Sequence, residues 1–242
     1  MRPNLAKLSV DDLEWESLGT HGLRRKLLSR DEETNAVTQY VDIPKAWKGG
    51  GVAHFHEFSE EVYVLHGDVS LNGRDYLEDG SYIYRPGGVV HGHDEGARQG
   101  CHCIIRTGGK MELNLIHEPA EEDEYVLHHV DDGRPLVLDL KTNDMLWARE
   151  HLGSGSIGWK VLSLDRQSGD HTVMLDLPAG WSGPLDLDPA LGWEWLVIRG
   201  GMELGDGSAF GTLDYSYRPA GSAPTSIAGS ETGAEVLLWR GV

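Results

Sequence analysis

The chain repeats itself, and two copies of one unit are the tightest limit on how its 242 residues can fold. Adding 134 to positions in the first half pairs Lys26 with Lys160, Leu28 with Leu162, Ser29 with Ser163, Asp31 with Asp165 and Thr38 with Thr172. The run continues through Asp42 and Asp176, Pro44 and Pro178, Trp47 and Trp181, Glu60 and Glu194, Gly67 and Gly201. One residue is then lost, and an offset of 133 pairs Tyr82 with Tyr215, Tyr84 with Tyr217, Arg85 with Arg218, Pro86 with Pro219 and Gly88 with Gly221. Identities spread over this length at one period are explained by two copies of one fold.

Short runs of Val, Ile, Leu and Tyr recur between Gly, Asp and Asn, while long helical periodicity is hard to find, so the class is all-β. Strands are expected over 23–29, 36–43, 52–55, 61–65, 69–71, 81–85, 101–107 and 112–116, with a second set from 157 to 239. Asn72-Gly73 reads as a hairpin turn. Residues 1–20 form an arm with a short helical piece that Ser9 can cap. A second such piece lies near 144–151, where Trp147 mirrors Trp15. The domains expected are the arm, a first unit over 21–133 and a second over 134–242. The acidic stretch with Glu121, Glu122, Asp123 and Glu124 reads as a solvated connection between them.

Within the first copy, His54-x-His56-x3-Glu60 is followed by His91 in Pro86-x-Gly88-x2-His91. Along a strand side chains alternate faces, so 54, 56 and 60 share a parity and can converge, with His91 arriving after a tight turn. Three imidazoles and a carboxylate suit a divalent first-row metal. Under the repeat register His54 meets Asp188, His56 meets Ala190 and His91 meets Pro224, leaving only the carboxylate in the second copy. That copy is expected to hold no metal.

His54-x-His56-x3-Glu60-x6-Gly67 together with Gly80-x5-Pro86-x-Gly88-x2-His91 resembles the two signature motifs of the cupin superfamily, and with the repeat the chain is similar to a bacterial bicupin. The resemblance implies two tandem jelly-roll-like barrels, with His54, His56, Glu60 and His91 as metal ligands in the first. Lys48 stands where the first motif begins with Gly, and Glu95 where the second often ends with Asn.

Four protein ligands leave positions on the ion for water, dioxygen or a chelating anionic substrate. Iron(II) is the metal expected, with manganese, nickel and zinc as alternatives. The leading reading is a non-haem iron dioxygenase that cleaves a C–C bond of a small diketone, hydroxy-ketone or aromatic compound. The second is a non-redox isomerase, lyase or hydrolase. The third is a sensor or regulatory protein resembling the zinc-bearing cupins of anti-sigma factors, although those carry a partner-binding helical domain for which no amphipathic segment is found outside the barrels.

Residues kept in the metal-free copy are read as structural: Tyr82, Tyr84, Arg85, and Arg106 with Arg240. His66, His93 and His102 meet Gly200, Ser226 and Val236 and are therefore candidates, with His93 and His102 taken as groups that move a proton or orient substrate. Trp181, Trp193 and Trp195 are expected to plug the second barrel. Cys101 and Cys103 are read as buried strand residues sharing a face, in a reducing compartment. The net charge of −18 disfavours nucleic acid and anionic membranes. No apolar leader or membrane span is found, so a cytoplasmic location is expected. Barrel edges and the N-terminal arm can pair strands with a second subunit, so a homodimer acting on a small molecule is expected.

Overall fold

A computed structural model describes residues 2–19, 21–117, 125–127 and 132–241. The acidic residues 121–124 lie outside the described residues. The chain divides into two compact units, Glu14–Asn143 and Arg2–Leu13 with Asp144–Val242. Each is a jelly-roll-like sandwich of antiparallel strands. No helix among the described residues is long and apolar enough to cross a membrane.

In the first unit the main sheet runs Val137–Lys141, Ser81–Arg85, Glu60–Ser70, Gly96–Thr107, Val37–Ile43, Leu23–Arg30, Glu16–Leu18. A smaller set comprises Asn114–Ile116 against Ala53–Phe55 and Val89–Val90 against Tyr125–Val126, joined by a bridge between His54 and His91. The inward face of the main sheet is apolar: Val41, Ile43, Val62, Val64, Ile83, Cys101 and Cys103 pack together. The thiols therefore lie inward, as their parity implies.

The second unit repeats this plan. Its main sheet runs Ala148–Leu152, Gly155–Leu164, His171–Leu177, Ala234–Arg240, Trp193–Leu204, Asp214–Arg218, Leu5–Ser9. The arm is thus a strand, Leu5–Ser9, built into the second unit, and Val137–Lys141 takes the matching place in the first. The helical piece is a single 3-10 turn, Val10–Asp12, and the Ser9 side chain makes no capping bond. Trp147 does mirror Trp15: the ammonium of Lys160 sits 3.9 Å from the Trp147 ring centre and that of Lys26 5.0 Å from the Trp15 ring.

Three expectations need correcting, all for reasons of register. The expected strands 61–65 and 69–71 are one strand, Glu60–Ser70, which turns at Gly67 without ending. A side chain there would lie 2.0 Å from the Gly100 carbonyl oxygen, and at Gly200 1.9 Å from that of Gly233, so Gly67 corresponds to Gly200. Asn72-Gly73 is no two-residue hairpin, because the strand's partner begins only at Leu77. Asn72 acts through its side-chain oxygen, which accepts from the N–H groups of Arg74 and Asp75.

The third correction concerns which carboxylate is repeated. Glu60 lies opposite Arg85 and Glu61 opposite Tyr84, whereas Trp193 lies opposite Arg218 and Glu194 opposite Tyr217. Glu194 therefore corresponds to Glu61, and Trp193 stands in Glu60's place. Likewise Trp239, opposite Glu194, corresponds to Arg106, opposite Glu61, and Arg240 does not. The residue deleted from the second copy lies between Trp47 and Glu60, in the segment that carries His54 and His56.

Glu61 and Glu194 do the same work in their units. Buried Glu61 accepts from the Tyr82 hydroxyl, from Arg106 at 2.5 Å and from Arg134 at 2.8 Å. Buried Glu194 accepts from the Tyr215 hydroxyl at 2.6 Å and from Arg2 of the arm at 3.2 Å. Removing one partner of a buried ion pair strands the other charge. Arg2→Met is expected to destabilise the second unit by about 3 kcal/mol, read as faster hydrogen exchange in Asp214–Arg218. Arg134→Met has a smaller effect on Ser81–Arg85, since Arg106 still pairs with Glu61.

Candidate metal centre

His54 and His91 exchange both backbone hydrogen bonds at 2.8 Å, which places their side chains on one face of the bridge. His56 follows on the same face, its carbonyl accepting from the Gly88 N–H. The turn that delivers His91 needs its glycines: a side chain on Gly87 would meet the Glu57 carbonyl oxygen at 2.6 Å, and Gly88 has φ of 85°. The three ring centres lie 4.5 to 5.2 Å apart.

Each imidazole is aimed by its own backbone partner. Nδ1 of His56 donates to the Glu112 carbonyl at 2.9 Å, that of His91 to Val89 at 3.0 Å, and that of His54 to Val52 at 3.4 Å. A carbonyl can only accept, so each Nδ1 carries a proton, and Nε2 is the nitrogen left to face an ion. Burial first, then the charges of Arg85 and His54, holds His91 well below the ordinary histidine range. Burial likewise lowers His54, joined by His56 and opposed by Glu60. Neutral imidazoles are what a metal binds.

Glu60, at the start of its strand, places Oε2 3.4 Å from Nε2 of His91. The structure thus brings His54, His56 and His91 together, with Glu60 beside His91. Among the described residues, the donor atoms of the three histidines lie within 4.8 Å of one another. Three imidazole nitrogens and a carboxylate oxygen suit a divalent first-row ion, and the donor set fits it.

The other candidate histidines are placed differently. His93 follows two residues after His91, and both its ring nitrogens are buried without a hydrogen-bond partner among the described residues. His102 alternates with Cys101 and Cys103 and so faces outward, its Nδ1 bonded to the Tyr40 hydroxyl at 2.8 Å and its ring beside Trp15. His66 is mostly exposed beside Asp79. Cys103 is held well above the ordinary thiol range by its hydrogen bond with the free thiol of Cys101 and by burial, so it offers no thiolate.

Two residues of the site escape a reading by repeat identity. Arg85, set aside because Arg218 repeats it, is buried with Nη1 3.9 Å from the Glu60 carboxylate, and its charge bears on His54, His91 and Glu95. The signal was alternation, since Arg85 shares the face of the core residue Ile83. Glu95 is pushed up to about 7 by burial and by the Glu60 charge, against the pull of Arg85. It was visible only as a departure from a motif. Tyr82 and Tyr84 are structural: Tyr84 donates to Asp132 and lies under the Arg134 guanidinium.

Residues 5–110 match the family model of the ChrR cupin-like domain, a stretch that holds all four ligand candidates. Among solved structures, the chain is similar to a Nostoc punctiforme PCC 73102 protein assigned provisionally as a dioxygenase, with 16% identity and a TM-score of 0.76 over 99% of this chain and 86% of that one. The fold is that of a cupin. Oxalate decarboxylase from Lactobacillus farciminis, in complex with formate, aligns with this chain at 14% identity and a TM-score of 0.64, over 99% of this chain and 86% of that one. The Bacillus subtilis oxalate decarboxylase, whose centres hold Mn(II), aligns at 13% and 0.63, over 98% and 77%. No curated protein matches the chain by sequence.

Gly92, with φ of 88°, leaves the His54 ring its room, for a side chain there would sit 2.5 Å from the ring. Gly92→Ala is expected to displace His54 and lower the metal bound per chain several-fold, with an unchanged β-sheet circular dichroism spectrum. Elemental analysis of the purified protein checks it.

Proposed function

We propose that the first unit is an iron(II) dioxygenase centre that cleaves a C–C bond of a small diketone, hydroxy-ketone or aromatic compound, both oxygen atoms of O2 entering the products. The second unit, with Trp193 in Glu60's place, holds no ion. The observation that carries this reading is the convergence of three carbonyl-anchored imidazoles beside Glu60. When bound, a divalent ion supplies Lewis acidity and, as iron(II), electrons for dioxygen.

The remaining steps belong to side chains of this unit. His54, His56, Glu60 and His91 would hold the ion. The Arg85 guanidinium neutralises an anionic substrate oxygen, as a buried cation does best where water is excluded. Glu95, able to be protonated near neutral pH, takes the proton from the substrate hydroxyl or returns it to product. His93, with both nitrogens free to bond, orients the substrate from the neighbouring turn. His102 has no part in this, because it faces away from the site and is bonded to Tyr40.

A second reading, a non-redox lyase or isomerase, is favoured by one observation. A buried carboxyl poised near neutrality, as Glu95 is, suits proton transfer to a carbanion or enolate without any need for oxygen.

Metal analysis followed by oxygen uptake with chelating ketones and phenols separates the two. Uptake in step with substrate loss, with about one iron per chain, is expected. Turnover that persists without oxygen overturns the dioxygenase reading in favour of the second. Glu95→Gln is expected to lower kcat by about 100-fold, the usual scale of general acid–base catalysis, with metal content unchanged.

A further inference from the structure

In the second unit Trp181 and Trp195 lie in the core, but side chains do not fill the interior to its end. A cleft of about 300 Å³ is walled there by Trp159, Val161, Val173, Leu185, Trp193 and Leu238. Four of the strands turn their inward faces to it: Trp159 and Val161 keep the parity of buried Ile157, Val173 that of Leu175, Trp193 that of Trp195, and Leu238 that of Val236. Trp193 stands in Glu60's place, so the cleft opens where the first unit gathers its metal-binding side chains.

The lining is apolar and within reach of a ligand. Trp159, Leu185 and Trp193 are half-buried, and Val161 is 51% exposed. Two polar side chains border the cleft, and neither aims a charge into it. His171 donates from Nδ1 to the Gly169 carbonyl at 2.8 Å and sets its ring against Trp193 at 6.0 Å. Asp186 alternates with Leu185 and Leu187 and is exposed, so its carboxylate turns to water. The Trp193 indole is fixed beforehand by its Nε1–H bond to the Asp188 carbonyl at 2.9 Å, which lowers the cost of ordering a binding wall.

Size and charge narrow the occupant. A dry apolar cavity of about 150 Å³ already takes up benzene, so this cleft has room for one ring with a short substituent. An ion entering it would give up hydration without a counter-charge. At Leu187 the cleft meets a polar one, where three carboxylates, Asp186, Asp188 and Asp206, stand against the guanidinium of Arg218, a border that turns anions away. The apolar surface ends at that border, which suits a small molecule better than a protein interface of about 800 Å² a side.

We propose that this cleft binds a small uncharged aromatic compound, its ring against the Trp159 and Trp193 indoles, whose flat faces favour a ring over an alkyl chain. The site is built by the second unit alone and does not rest on the metal chemistry assigned to the first.

The test is fluorine NMR titration of the full chain with 4-fluorotoluene, 4-fluorobenzoate, 4-fluorobenzylamine and fluorohexane. Saturable binding of 4-fluorotoluene is expected, about tenfold or more tighter than either charged analogue and tighter than fluorohexane, and unchanged in His91→Ala. Val161→Asp, which sets a charge in the lining at a half-exposed position, is expected to weaken it about tenfold or more, and Trp193→Leu to weaken it by removing one flat wall. No saturable binding, equal or tighter binding of a charged analogue or of fluorohexane, binding indifferent to Val161→Asp, or binding lost in His91→Ala would each overturn the proposal. Absence of binding together with a dimer that Val161→Asp dissociates in sedimentation would give the cleft to a second copy of the chain instead. Failure of oxygen uptake in the first unit leaves these outcomes untouched.

Discussion

Two adjacent carboxylates on one strand, Glu60 and Glu61, must face opposite ways, and the first unit depends on which faces which. Glu61 is gripped by Tyr82, Arg106 and Arg134, an arrangement that a buried carboxylate requires and that only one register provides. A slip of one residue would turn every side chain of the strand over. With Glu61 held on one face, Glu60 is delivered to the other beside His91. The grip is therefore what positions the site, although no atom of it belongs to the site.

The second unit shows what happens when the grip is kept and the site is not. Glu194, Tyr215 and Arg2 reproduce the clamp, and the strand after it again turns at a glycine that no side chain could replace. At the inward position beside the clamp stands an indole instead of a carboxylate. Frame and site are thus separable, because alternation lets the two faces of one strand carry independent demands. It also explains why an arm from the far N-terminus is built into this sheet: Arg2 supplies the charge that Glu194 needs.

Much of this was legible in the sequence. Strand positions followed from short apolar runs, but the single strand expected to carry 54, 56 and 60 is broken at 56–59, so Glu60 comes from a separate strand and parity does not link it to the histidines. The inward thiols did follow from parity. What escaped was register. Counting identities assigned Glu194 to Glu60 and Arg240 to Arg106, because it placed the lost residue after Gly67, whereas sheet pairing places it before Glu60. The rule that repeated residues are structural failed for Arg85, whose charge serves the site even though Arg218 repeats it. The outward direction of His102 was already implied by the buried cysteines on either side of it.

Charge decides what such a site can receive. The whole chain carries −18, which repels anions at long range, but screening confines that field to about 8 Å at physiological ionic strength. Inside the site the balance is local. Burial disfavours charge on His54 and His91, the charges of Glu60 and Arg85 offset each other, and Glu95 is pushed up to about 7. A divalent ion there would keep nearly its full charge uncompensated, in surroundings that shield it poorly. An anion able to chelate satisfies that charge through two oxygens, whereas a neutral molecule cannot, so the preference for an anionic chelator follows from the side chains that surround the ion more than from the ion itself.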